Sequence, residues 1–122
     1  MIAAMKLKLK SWLVPLLLVV AVGGGTAALR AWERHQIGER VASAAQPGDI
    51  EMYSATTCGI CKTAKRWFDA HDVAVQSCEI DRDADCRKRF YALKGRGTPL
   101  FVVRGERQVG FDRERIAQAL ER

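Results

Sequence analysis

Ile50-Glu51-Met52-Tyr53, then Ser54-Ala55-Thr56-Thr57, then Cys58-Gly59-Ile60-Cys61 is the stretch whose reading decides this chain. Ile50, Met52 and Tyr53 suit a short strand, and the small polar residues Ser54 to Thr57 suit a loop. Cys61 to Ala70 reads as a helix with Ala64, Trp67 and Phe68 on its apolar side. Two thiols three residues apart at a helix N-terminus can reach each other and close a small reversible disulfide. Unpaired backbone N–H groups at that end favour negative charge. A free thiol titrates near ~8.5, and such surroundings lower that to roughly 3.5–7.5. Cys58 is therefore expected to be a nucleophile at neutral pH. The pattern points to dithiol–disulfide exchange.

Upstream lies a segment too apolar for a soluble domain. Ser11 to Leu29 holds no charge over nineteen residues, with Lys6, Lys8 and Lys10 before it and Arg30 after it. That is about the ~20 residues needed to span a bilayer. The lysines predict a cytoplasmic N-terminus, residues 1–10, with the rest of the chain crossing. A cleaved signal peptide is the competing reading. Trp12 to Val22 has the length of its apolar core, and Gly25-Thr26-Ala27 offers a small-residue cleavage site. Pro15 and Gly23-Gly24-Gly25 are compatible with a membrane helix. Both readings put the remainder outside the cytoplasm, on the periplasmic side, either anchored or released there.

The net charge of +6 divides unevenly. Residues before 41 hold six basic and two acidic side chains; from Asp49 onward there are fourteen and twelve. The folded part is thus only mildly basic, which excludes a nucleic-acid footprint. Residues 30–48 are charged and alanine-rich, without a sustained apolar face, and Pro47-Gly48 closes them. They read as a stalk, and Trp32 fits an interfacial anchor. The domain itself is expected over residues 49–122.

Within it, Val73 to Ile80 alternates as a strand, and Asp81 to Asp85 forms a turn and helix start. Cys86, Phe90 and Leu93 then share a helix face. Leu100 to Val103 is a continuous apolar run suited to a central strand. Gly105-Glu106 marks a hairpin turn before Gln108-Val109. Phe111 opens a last helix with Ile116, Ala119 and Leu120 inside. The order is βαβαββα, an α/β domain.

Four cysteines in a translocated chain suggest two pairs, Cys58 with Cys61 and Cys78 with Cys86. The second pair would join the end of the second strand to the start of the second helix. Two unpaired buried thiols are one alternative, because free cysteine behaves as a small hydrophobe, and a redox relay to the first pair is another. The spacing C-x2-C-x16-C-x7-C has one CxxC knuckle where a zinc ribbon has two. Neither His35 nor His71 has ligand spacing to a cysteine, so no resident metal is expected. Lys62, Lys65 and Arg66 read as a solvated basic face.

This order, with CxxC after the first strand, Thr98-Pro99 before Leu100 to Val103, and Gly110-Phe111-Asp112 before the last helix, resembles the glutaredoxin branch of the thioredoxin fold. The likeness covers residues 49–122. It implies an exposed attacking Cys58, a buried resolving Cys61 and a cis-proline at Pro99. It implies substrate contacts from Thr57, Gly59, Ile60 and Thr98, with Gly110 and Asp112 toward glutathione as a co-substrate. Familiar members carry Pro-Tyr where this chain has Gly59-Ile60, and Gly-Gly-Asp where it has Gly110-Phe111-Asp112. The expected substrate is a protein disulfide or a glutathione mixed disulfide, with the membrane as a further partner. The competing function is a membrane-tethered module holding a soft metal, Cu(I) or zinc, on the same thiols.

Overall fold

Alternation along two strands sets the layers of this domain. A computed structural model describes residues 2–122, with side chains from residue 10 onward. The side chains of Lys6 and Lys8, on which the basic N-terminus was read, lie outside the described residues. The elements are α1 (Ile2–Ala44), β1 (Ile50–Ser54), α2 (Gly59–Ala70), β2 (Gln76–Glu79), α3 (Ala84–Ala92), β3 (Leu100–Val103), β4 (Glu106–Val109) and α4 (Arg113–Leu120). The chain divides into two units, one ending at His35 and the other running Gln36–Arg122.

In the first unit α1 exposes Trp12, Leu16, Leu17, Val19 and Val22. It is long and apolar enough to cross a membrane.

The second unit holds a four-stranded sheet in the order β2-β1-β3-β4. β1 runs parallel to β2 and antiparallel to β3, and β4 is antiparallel to β3. The central strands are therefore β1 and β3, the two most apolar. Successive strand side chains point to opposite faces. Ile50, Met52, Phe101 and Val103 meet Ala64 and Phe68 of α2 and Ile116, Ala117 and Leu120 of α4. Tyr53 and Leu100 face the other way and meet Cys86 and Phe90 of α3. The result is a sheet with helices on both faces and one core on each side.

Only Gln76–Glu79 of the expected second strand pairs with β1, from Glu51 to Ser54. Val73 and Val75 lie before it and pack on the larger core. The β3–β4 turn uses Arg104 and Gly105, both with positive φ, 48° and 84°. Two such residues are what a two-residue hairpin with the sheet's own twist requires. The last helix begins two residues later than expected, at Arg113, with Asp112 as its cap: the Asp112 side chain accepts from Arg115 N at 3.2 Å.

The largest difference concerns residues 30–48. Their composition reads as a stalk and Trp32 is exposed, yet from Ile37 onward the segment packs on the domain: Val41 is fully buried, and Ile37, Ala44 and Ala45 pack against the larger core. Their spacing of four, then three or four, makes one helix face two turns long. That is too short to stand out in a charged, alanine-rich sequence. Arg40 donates to Glu121 at 2.7 and 2.9 Å and to Glu114 at 3.1 and 3.2 Å. Its guanidinium is held more firmly protonated, first by Glu121 and then by Glu114, and the Glu121 carboxyl is pulled below its usual range by Arg40. Gly38 permits the approach, since a Cβ there would run into the His71 ring. Arg104 donates to the carbonyls of Ala44 (3.0 Å) and Leu120 (2.5 Å) and to Asp49 (3.1 Å), tying two helix ends to β1.

Candidate active site

Strand direction gathers the site. β1, β2 and β4 all end where β3 begins, so the loops after them and the residues before β3 share one end of the sheet. The β1 loop carries Cys58, and the segment before β3 carries Thr98 and Pro99. Gly110 follows β4 and donates its N–H to Pro99 O at 3.0 Å.

Cys58 caps α2. Its φ and ψ are extended, and its Sγ accepts from Cys61 N at 3.2 Å. A sulfur therefore occupies the place where a serine or aspartate oxygen often sits at a helix start. Negative charge on that sulfur would be met by an N–H and by the positive end of the helix. The two cysteines are joined, with Cα atoms 5.3 Å apart. Cys58 is half-buried, whereas Cys61 is 1% exposed. Only the first sulfur faces incoming molecules.

Cys58 Sγ lies 3.6 Å from Thr98 O, and the Thr98–Pro99 bond is cis. Thr98 is half-buried and Pro99 buried. Thr57, Gly59 and Ile60 are exposed around the sulfur, Ile60 to 59%. Asp112 is drawn into capping α4. Phe111 turns inward onto Trp67, Phe68 and Phe101, with ring centres 5.8, 5.8 and 6.0 Å away. Arg113 lies over the Phe111 ring at 5.0 Å.

One residue here escaped the sequence reading. Asp81, within the turn and helix start expected over Asp81 to Asp85, accepts from Thr56 N at 3.0 Å and from the Thr56 hydroxyl. Those bonds, the side-chain one first, hold its carboxyl below the usual range. They tie the loop before Cys58 to the end of β2, which Ile80 N→Ser54 O at 2.9 Å also holds. Asp83 is the true cap, accepting from Asp85 N and Cys86 N. The position of Asp81, just past a strand parallel to β1, was the available signal. Lys65 pairs with Glu79 at 3.2 Å and so offers Cys58 little free charge.

The remaining cysteines are also bonded, Cys78 to Cys86, with Cα atoms 5.4 Å apart. Among the described residues no group of three or more His, Cys, Asp or Glu side chains could hold a metal ion. On the α3 side of the sheet, Tyr53 donates to Glu51 at 2.5 Å. Burial first, and then Glu51, push its phenol up to about 12.

The glutaredoxin family model matches residues 50–108. Among solved structures, a mutant of the thioredoxin-like protein BC3987 is 31% identical, covering 61% of this chain and 96% of that one, with a TM-score of 0.55. The unmutated BC3987 is also 31% identical, covering 57% and 97%, with a TM-score of 0.52. A mutated buckwheat glutaredoxin is 17% identical over 75% of this chain and 93% of that one, with a TM-score of 0.50, a likeness of fold alone. No curated protein matches the chain.

Proposed function

Because the chain belongs to the glutaredoxin family of thioredoxin-like proteins, we propose that Cys58 attacks substrate disulfides and that Cys61 resolves the product. The domain with its Cys58–Cys61 pair is a thiol–disulfide oxidoreductase in general terms. The observation that carries the finer reading is the asymmetry at the start of α2. Cys58 is the accessible sulfur and sits on an N–H, while Cys61 is enclosed one turn in.

In the reducing direction, Cys58 thiolate attacks one sulfur of a substrate disulfide, and the other substrate sulfur leaves as a thiolate. Cys61 then attacks Cys58 Sγ and releases the second substrate sulfur. The substrate gains two electrons and the pair becomes a disulfide. Glutathione, or a reduced protein dithiol, returns the pair to thiols. Run backward, the same steps oxidise a dithiol, and the partner's reduction potential sets the direction. Thr57, Gly59, Ile60 and Thr98 form the rim that an extended substrate would meet, with Pro99 and Gly110 beneath it. Exposed Ile60 favours an apolar side chain of a protein substrate. Glutathione is the proposed co-substrate, with Asp112 near its γ-glutamyl end.

The apolar helix is proposed as a retained anchor, with residues 1–10 cytoplasmic and the redox domain on the extracytoplasmic face. Its length and uncharged sequence support this, as do the three lysines before it. N-terminal sequencing of the mature protein tests it: Met1 or Ile2 as first residue supports the anchor, and a start near Ala27 refutes it.

The site is tested by two substitutions. Cys58→Ser should abolish reduction of a model disulfide. Cys61→Ser should leave the first attack and accumulate mixed disulfides, read by mass under non-reducing conditions. Full turnover by Cys58→Ser would overturn the assignment.

A further inference from the structure

The second disulfide has a cation standing on it. Arg89 Nη2 lies 3.3 Å from Cys78 Sγ and 3.8 Å from Cys86 Sγ. Its Nη1 donates to Glu51 at 3.3 Å, and Glu51 is itself held by the Tyr53 hydroxyl. A chain of polar groups from β1 therefore fixes the guanidinium over the two sulfurs. A neutral disulfide gains little from this placement, whereas a thiolate gains a charge-assisted contact. Cys86 also lies in the first turn of α3, where the helix dipole acts in the same sense. Asp83 at the cap of α3, Asp85 in its first turn and Glu51 on β1 oppose it, and Lys88 adds to it.

Access and reversibility follow from the surroundings. Cys78 and Cys86 are 5% and 4% exposed, while the Arg89 side chain is 58% exposed. Arg89 also lines an open groove with Asp85, Lys88 and Ala92. Access to the sulfurs would therefore begin with a swing of this exposed side chain. The loop they close is held independently of them. Ile80 N→Ser54 O and Asp83 N→Glu79 O are both 2.9 Å, Asp81 binds Thr56, and Asp83 caps α3. Once reduced, the two thiols remain face to face and ready to close again.

We propose that Cys78–Cys86 is a second exchangeable disulfide, opened by a small or protein dithiol, with Arg89 as the positioning residue for the sulfur released. One thiolate of the external dithiol attacks Cys78 or Cys86, and the other cysteine leaves as a thiolate beside Arg89. The second external thiol attacks the mixed disulfide, and the external dithiol departs as a disulfide. Two electrons pass to Cys78 and Cys86, and two protons from the dithiol restore both thiols.

The test uses the full chain in detergent with Cys58→Ser and Cys61→Ser, so that only the second pair titrates. It is equilibrated in mixtures of reduced and oxidised dithiothreitol, and thiols are counted by alkylation and mass. Circular dichroism follows the fold. A reversible two-electron transition with the helical signal retained is expected. An opposite charge at this distance shifts ionisation by roughly one unit or more. Arg89→Gln should therefore lower the reduction equilibrium constant about tenfold at pH ~9.5 and by less than about twofold at pH ~6, where the thiols are protonated. Arg89→Lys should recover most of the alkaline value. Reduction that occurs only with loss of the fold, or an Arg89→Gln effect that is absent or equal at both pH values, would overturn the proposal. Should Arg89→Gln fail to fold, the pH dependence of alkylation of the reduced pair decides instead. A midpoint below that of a free thiol supports the proposal, and one at or above it refutes it.

Discussion

Truncating Val41 to alanine tests whether the end of α1 is part of the redox domain. Val41 is fully buried against the larger core. The change removes two methyl-sized groups, each worth ~0.8 kcal/mol of transfer free energy. A void that relaxes only in part adds to this. Alanine's better helix propensity returns up to ~0.7 kcal/mol. The net loss is about 2 kcal/mol. Urea unfolding of a soluble fragment starting at Gln36 is the assay. For a domain of this size the slope is ~1 kcal/mol per M, so the midpoint should fall by about 2 M. A fragment starting at Asp49 also loses Ile37, Ala44 and the Arg40 contacts, and should be less stable still. A Val41→Ala midpoint within about 0.5 M of the parent is what a surface substitution gives, and would refute the packing argument.

Gly38→Ala should destabilise the same fragment, although alanine improves helix propensity by ~1 kcal/mol, because its Cβ meets His71; a rise in thermal midpoint would contradict this. Stability should fall in acid. Asp49 is held below its usual range by Gln46 N–H and then Arg104, and Asp81 by Thr56. Such groups contribute fully above their unfolded pKa, and the contribution is lost as pH drops below the ordinary carboxylate range. Asp49→Asn should flatten that slope in thermal melts between pH ~6 and ~2.5. At the alkaline end Tyr53, pushed up to about 12 by burial and then Glu51, favours the fold fully below the ordinary tyrosine range. This contribution is lost as pH rises toward about 12. Ultraviolet titration of a Tyr91→Phe variant should show Tyr53 ionising near 12, and ionisation of the folded protein near 10 would refute the burial argument.

Much of the site was legible because its markers are local. Cys58 and Cys61 declare themselves by spacing at a helix start, and Thr98-Pro99, before an apolar strand, is marked by the resemblance to the glutaredoxin branch. Both features are readable from a few adjacent residues. The role of Asp81 was not legible, because it depends on β2 lying parallel to β1, so that residues 25 apart in sequence meet. The same holds for Arg89. On α3 it reads as a surface residue, and only the pairing of Tyr53 with Cys78 brings Glu51 and the second disulfide within its reach.

The amino-acid sequence alone determined the βαβαββα order, the central place of Leu100 to Val103, the apolar N-terminal segment and the dithiol at the start of α2. Each of these follows from periodicity, composition or spacing within a window of a few turns or one strand. The tertiary structure decided that Ile37 and Val41 belong to the core, that Asp81 braces the Cys58 loop, that Phe111 turns inward, and that Arg89 stands on Cys78 and Cys86. Those contacts join elements distant along the chain. They arise only when strand order and helix docking bring together faces that, read singly, are too short or too polar to announce a partner.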